Sequence, residues 1–527
     1  MPDVIADPET DPRATYAVDP GRVRRLLGSV VASGPPMTTH TPMTGAPLAT
    51  LPTSTASDVA VALDRARAAQ RRWARMPMAD RSRVLLRLHD LVLERQSDLL
   101  DLVQLESGKA RVHAFEEVAD CALVARYYAR RGPRHLASER HLGGVPVLTR
   151  SSSHHRPRGV VGIVSPWNYP LSLSVTDALP ALLAGNAVLL RPDPQGSLTA
   201  LTAVALMVEA GLPADVVQVV LGPGDPTGKA VVERADYVCF TGSTATGRVV
   251  AQTAGRRLVG ATLELGGKNT VYVAADADLR RAVPGVIQTC FASAGQLCVS
   301  AERLVVHEAV ADEFLGRLLD AMGRIRLSTA LHWDADMGSL AGPGQLERVL
   351  AHLDDAVAKG ATVLTGGRAR PDIGPFVVEP TVLTEVTSAM ACRDEETFGP
   401  VAALYRVASD DAAVALANDT EYGLNASVWT RDIARGRALA ARIETGTVNV
   451  NEGYAAAWGS IGSPMGGMKA SGLGRRHGRE GILKYTESQN VTVQRLVNIS
   501  DVPGLAGERY ARALTGALRV LKAVGLP

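Results

Sequence analysis

VVGIVSP, residues 160–166, is an almost unbroken apolar run of strand length that stops at Ser-Pro. A strand buried on both faces requires such a run, because neither face can carry the alternating polar residues of a half-exposed strand. The same kind of text recurs as AVLLRP (187–192), VVQVVLG (216–222), YVCFTGS (237–243) and LVGATLEL (258–265), with helical stretches between. Apolar strands alternating with helices predict a doubly wound α/β unit with a parallel sheet. Ligands of such sheets bind beyond the carboxyl ends of the strands. The informative segments are therefore SPWNYP (165–170), RPDPQ (191–195), FTGSTATG (240–247) and LELGGK (263–268).

Upstream, residues 1–56 are rich in proline, threonine and glycine and read as an irregular arm. From Ser57, apolar Val59, Leu63, Ala66 and Trp73 recur at helical spacing behind a Ser57 or Asp58 cap. A second helix is expected over 80–106, ending near Gly108. Downstream, residues 267–480 alternate again and predict a second α/β domain. Two outlying pieces, 142–158 and 487–497, read as exposed strands with no evident sheet of their own. Strands of this kind often pair across a subunit interface, so an oligomer is expected. Residues 508–527 read as a basic amphipathic helix that packs on the body or on a partner subunit, with binding to a membrane surface as the minor alternative.

The chain has 527 residues, too many for one simple core. With 56 basic against 54 acidic side chains it carries no polyanion-binding surplus, so nucleic acid is not an expected partner. Five scattered cysteines (121, 239, 290, 298 and 392) make neither a disulfide framework nor a zinc ligand set, and a reducing cytoplasm fits them. No metal site is expected. The N-terminus lacks the basic and apolar regions of a signal peptide, and no stretch reaches membrane-span length, so no membrane partner is expected.

Several segments invite chemistry, each with a plain structural alternative. FTGSTATG places small residues where a strand turns into a helix, a setting that suits a pyrophosphate but also an innocent turn. GPGDPTGKA (222–230) is not a P-loop, since Pro223 occupies the first glycine position and Ala230 that of the metal-binding hydroxyl. Glu264 in LELGGK is either a general base or a capping acid. Asn168 in SPWNYP is either an oxyanion donor or a turn asparagine. Cys298 in GQLCVS, taken alone, is a small buried hydrophobe.

In order along the chain, SPWNYP, FTGSTATG, LELGGK, GQLCVS, EETFGP (395–400) and SPMGGMKASGLGRRHG (463–478) resemble the aldehyde dehydrogenase superfamily, over roughly Met43 to Val497. The resemblance implies a Rossmann-type cofactor domain (57–136 and 156–266), an α/β catalytic domain (267–480), and a small β oligomerisation arm (137–155 and 485–500). The N-terminal arm (1–56) and the C-terminal helix (501–527) flank these. It implies a homodimer or homotetramer.

By the same resemblance, Cys298 attacks the aldehyde carbon. The Asn168 amide and the Cys298 N–H receive the oxyanion, each donor worth about 3 to 4 kcal/mol. Hydride transfer to nicotinamide leaves a thioester, and Glu264 activates the water that hydrolyses it. Gly242 and Ser243 match the pyrophosphate contacts, Glu396 the acid on the nicotinamide ribose, and Phe398 the neighbour of that ring. Trp167 and Leu265 line the cofactor channel. Arg191, Pro192, Asp193 and Pro194 lie along the adenosine end, where Pro194 replaces the glutamate of NAD-preferring relatives and Arg191 replaces a lysine. Loss of that acid and gain of an arginine favour NADP over NAD.

The overall run is similar to bacterial succinate-semialdehyde dehydrogenases of the NADP type, which implies succinate semialdehyde as substrate. Its carboxylate needs a cationic clamp, and the two positions expected to supply arginine hold Thr176 and Ala292. Either Arg126 or Arg130 supplies the charge, or the substrate is a neutral aliphatic or aromatic aldehyde. A cofactor-independent thiol esterase is the reading of a different class.

Overall fold

The computed structural model describes residues 17–143, 149–495 and 504–525. The first 16 residues of the expected arm and residues 496–503, which include the end of the expected oligomerisation strands, lie outside the described residues.

The five apolar runs form one sheet, extended by a sixth strand. Its order is Gly472–Leu473, Gly260–Glu264, Tyr237–Thr241, Val160–Ser165, Ala187–Pro192, Val217–Val219. All neighbours run parallel except Gly472–Leu473, which returns from late in the chain and pairs antiparallel with the strand ending at Glu264. Every residue of Val160–Ser165 and Ala187–Pro192 is buried, as continuous apolar text requires. The chain enters at the centre with Val160–Ser165, moves outward on one side, then crosses to Tyr237–Thr241 on the other. Successive connections therefore diverge beyond Ser165 and Thr241, and this divergence opens a crevice at the carboxyl ends.

A second sheet has seven strands: Thr362–Thr365, Thr381–Thr384, Val401–Val407, Ala301–His307, Asn269–Val273, Asn425–Trp429 and Thr447–Val450. Only the edge strand Thr362–Thr365 is antiparallel. The two sheets are joined where Glu264 ends one and Asn269 begins the other, with Gly266 and Gly267 between.

Four expectations change. Residues 20–53 are not irregular: Pro20–Leu27 is a helix behind an Asp19 cap, and Gly34–His40 pairs antiparallel with Pro47–Thr53. The helix expected from Ser57 is Ala56–Trp73, capped by Thr55, ahead of the expected Ser57 or Asp58, in a Thr55–Asp58 capping box. The single helix expected over 80–106 is two, Met78–Glu94 and Gln96–Ser107, closed by Gly108 in the left-handed conformation. The outlying strands are also not unpaired. Thr149–Pro157 pairs antiparallel along its whole length with Thr486–Gln494, and with Glu139–Leu142 on its other edge.

The helix Arg111–His135 runs beside the loop that follows Val160–Ser165. From it, Glu117 is buried against Lys109 with Nζ and Oε1 2.6 Å apart. Glu117 Oε2 accepts the Leu171 and Ser172 amides (2.8 and 3.0 Å), filling the first turn of the short helix Pro170–Val175. Lys109 Nζ donates to the Asn168 carbonyl at 2.6 Å and lies 3.4 Å from the centroid of the Tyr169 ring. One buried pair thus holds the whole turn. Glu117→Ala strands a buried ammonium, and we expect a loss of about 3–5 kcal/mol of unfolding free energy in urea titration. A change under 1 kcal/mol would show that the turn is held by other contacts.

Candidate active site

Cys298 sits in a turn between the helix Leu279–Phe291 and the strand Ala301–His307. The backbone before it is strained: Ser293 and Ala294 have φ of 51° and 56°, costing of order 1–3 kcal/mol each, and Gly295 has φ 71°. Gly295 has no substitute, since a Cβ there would stand 2.1 Å from the Gly399 carbonyl oxygen. The strain is held from several directions. His113 Nδ1 accepts the Ser293 amide (3.2 Å), the Tyr169 hydroxyl meets Ser293 Oγ (2.9 Å), and Gln296 accepts from Ala341 N through Oε1 (2.9 Å). Asn269 Nδ2 donates to the carbonyls of both Cys298 and Ser300 at 2.7 Å, tying the turn to the sheet junction.

Asn168 reaches the same turn, donating from Nδ2 to the Gln296 carbonyl at 3.0 Å. An amide carries two N–H donors, so one remains for a second acceptor. Glu264 is buried, and its Oε1 has no hydrogen-bond partner. Burial pushes its pKa up to about 7, opposed chiefly by the positive charge of Arg476 and then Lys484. The Cys298 thiol is pushed up to about 12, first by burial and then by the Glu396 and Glu264 carboxylates, with Arg476 acting the other way. Cys298, Glu264, Asn168 and Glu396 are therefore brought to one place.

A second buried pair supports the other side. Lys268 contacts Glu302 through a hydrogen-bonded ion pair and donates to the Glu395 carbonyl at 2.7 Å. Glu302 accepts the Thr397 and Phe398 amides at 2.9 Å. This fixes EETFGP so that Glu396 Oε1 accepts the Gly267 amide (2.9 Å) and the Phe398 ring meets Trp167 edge to face, 5.6 Å between centroids.

Beyond these rings a cavity of about 610 Å³ opens at the crevice of the first sheet. Val164–Trp167, Arg191, Asp193, Phe240–Ser243, Val249 and Val250 line it. Ser243 caps the helix Thr244–Arg256, accepting the Thr246 amide at 3.3 Å, and this helix start borders the cavity, a setting that suits an anion. Gly247 in that turn lies where a Cβ would be 2.4 Å from Leu265, so the helix start packs directly on the strand that carries Glu264. Apolar walls, a helix start and a buried acid next to paired rings fit a dinucleotide. Gly242 is less available than the sequence implied, because its amide donates to the Glu264 carbonyl at 3.1 Å. Arg191 is also committed: Nε and Nη2 donate to the Gly222 carbonyl (3.0 and 2.7 Å), with Asp193 3.7 Å away. Lys229, exposed on the same cavity wall, is the cation that sequence reading passed over when it set aside GPGDPTGKA. Pro192 ends the buried strand Ala187–Pro192, and Pro194 opens the short turn after it.

Cys298 packs against an apolar wall of buried Tyr169, Leu173, Leu297, Val299, Leu424 and Tyr454, with Trp458 and Met465 also against it. Ala292 belongs to this cluster. Thr176 is buried and accepts from Arg476 Nη2 at 2.5 Å, while Asp177 pairs with the same guanidinium at 3.3 Å. The half-buried Glu116 carboxylate takes hydrogen bonds from the Tyr169 and Tyr454 hydroxyls, both at 3.0 Å. Arg126 and Arg130 are exposed on their helix and form no part of the wall.

Residues 30–491 match the aldehyde dehydrogenase family. The chain belongs to that family. A relative from Mycolicibacterium smegmatis, provisionally named succinate-semialdehyde dehydrogenase [NADP(+)], is 51% identical over 91% of this chain and 93% of its own. The 4,4'-diapolycopene aldehyde oxidase of a Methylomonas species is 37% identical over 88% of this chain and 86% of its own. The crystal structure of an NAD-dependent aldehyde dehydrogenase from Sinorhizobium meliloti superposes with a TM-score of 0.86 at 34% identity, covering 90% of this chain and 94% of that one. The protein is an NAD(P)-dependent enzyme of aldehyde oxidation with the family's α/β fold.

Glu264 also yields a pH prediction. Its folded pKa, about 7, lies above the unfolded value of 4.5, so its contribution to stability is present at low pH and lost as pH rises through 7. Glu264→Gln removes that loss. Its melting temperature should exceed that of the wild type at pH 8 and approach it at pH 5; equal melting temperatures at pH 8 would show that the carboxylate is compensated.

Proposed function

We propose that Cys298 is the nucleophile, Glu264 the general base and Asn168 an oxyanion donor in oxidation of an aldehyde to a carboxylic acid. The Cys298 thiol loses its proton to solvent water as its sulfur adds to the carbonyl carbon, and the resulting oxyanion accepts from the second Asn168 N–H and from the Cys298 amide. Bound NADP or NAD supplies the hydride acceptor. The carbon, now a thioester, is attacked by water whose proton goes to Glu264, and the acid leaves with the thiol restored. A base with a pKa near 7 suits this work at neutral pH, being ionised often enough to act and basic enough to take the proton.

Trp167, Phe398, Glu396 and Leu265 would flank the nicotinamide end; Ser243 would receive the pyrophosphate, with Gly242 keeping the approach open though its amide is held by the Glu264 carbonyl; Arg191, Pro192, Asp193 and Pro194 would frame the adenosine end. The absence of an acid at residue 194, together with Lys229 on the cavity wall, favours NADP. The cofactor domain is 57–136 with 156–266, and the catalytic domain is 267–480. The three-stranded sheet over 139–157 and 486–494, with its exposed outer strands, supports a homodimer or homotetramer. A reducing cytoplasm suits the five free cysteines.

The substrate reading rests on the wall around Cys298. It is apolar and aromatic, and its acid, Glu116, would repel a substrate carboxylate. Arg476, the guanidinium that couples to Cys298, is already paired with Asp177. These residues favour a neutral aliphatic or aromatic aldehyde. Succinate semialdehyde is the second reading, favoured by the name of the 51% identical relative.

NADPH formation with benzaldehyde, decanal and succinate semialdehyde, against a Cys298→Ala control, separates the readings. We expect kcat/KM for the neutral aldehydes to exceed that for the semialdehyde by at least about tenfold, and the control to be inactive. The reverse order would establish a carboxylate clamp outside residues 176 and 292, and turnover by Cys298→Ala would remove the nucleophile assignment.

A further inference from the structure

The family match ends at residue 491, and the helix Glu508–Ala523 lies beyond it. None of its residues is buried. Leu514, Leu518 and Leu521 recur at helical spacing on one face, flanked by Val520 and Val524, and Leu518 and Val520 are 57% and 61% exposed. Arg512, Thr515, Arg519 and Lys522 recur on the opposite face. With Arg509 the helix has four basic side chains against one acid, Glu508, which is paired with Arg512 at 2.6 Å.

A helix of 16 residues, none of them buried, is marginal in water on its own, so its exposed leucine stripe calls for a cover. The charge pattern selects that cover. A second copy of the same helix would bring four cations against four, with too few acids between them to compensate. The helix is about 24 Å long at 1.5 Å per residue, and no helix among the described residues is long and apolar enough to cross a membrane. What remains is the arrangement of an interfacial helix: leucines in the acyl boundary, arginine and lysine stems reaching up to phosphate headgroups.

We propose that the helix Glu508–Ala523 docks on an anionic phospholipid surface and holds the enzyme at a bilayer. This goes beyond aldehyde oxidation and does not depend on it.

The test is flotation of the full-length protein with vesicles of phosphatidylglycerol and phosphatidylcholine in equal parts, and with phosphatidylcholine alone. We expect flotation with the anionic vesicles only, weakened by salt. Arg519→Gln and Lys522→Gln should each lower partitioning about fivefold, and Leu518→Glu by at least about tenfold. All three residues are exposed, so the body of the enzyme folds without them. Absence of flotation, or flotation that Leu518→Glu and the Arg519→Gln/Lys522→Gln double variant leave intact, would overturn the proposal. So would a change in sedimentation-derived mass of Leu518→Glu without lipid, which would give the stripe to a second copy of the chain.

Discussion

Two buried lysine–glutamate pairs carry the geometry of the site. Lys109–Glu117 lies on the cofactor side and Lys268–Glu302 on the side of the second sheet, all four groups almost wholly removed from solvent. The construction is the same twice. Each ammonium also donates to a carbonyl in an active-site loop, Asn168 or Glu395, and each carboxylate collects two consecutive amides from that loop, Leu171 with Ser172 or Thr397 with Phe398. Such pairs contribute little net stability, because desolvation offsets their attraction. Their effect here is positional. Asn168 and Trp167 on one loop, Glu396 and Phe398 on the other, converge on a cysteine whose own turn is strained and held by Asn269 and Gln296.

The electrostatics follow from that convergence. Three titratable groups lie together, Glu264 buried and Cys298 and Glu396 half-buried, and their removal from solvent disfavours the charge on each. The thiol is therefore held protonated while the two acids are brought near neutrality. Arg476 offsets part of this for both Glu264 and Cys298, and Asp177 in turn holds Arg476. The network leaves Glu264 with a raised pKa and a free Oε1, which is what the proposed role as general base requires.

Much of this was legible in the sequence because it is local. Strands that end in SPWNYP, FTGSTATG and LELGGK announce the carboxyl edge of a sheet, and GQLCVS and EETFGP complete an ordered set. What was not legible acts at a distance. Lys109 is 59 residues from Asn168, and Thr149–Pro157 finds its partner strand more than 300 residues later, with no local pattern to signal the pairing. The hairpin within residues 34–53 was missed because proline and threonine mask its alternation. Gly242 and Arg191 were read as ligand contacts from their positions; their bonds to the Glu264 and Gly222 carbonyls are set by packing, which sequence does not display.

The central claim is that Cys298 becomes acylated and Glu264 releases it. Mass spectrometry of peptides from Glu264→Gln, quenched after mixing with NADP and benzaldehyde, tests it most directly. The account predicts a benzoyl adduct, accumulating on the peptide that contains Cys298, that is far scarcer in the wild type. An adduct on another cysteine, or turnover by the variant at the wild-type rate with no adduct, would contradict it.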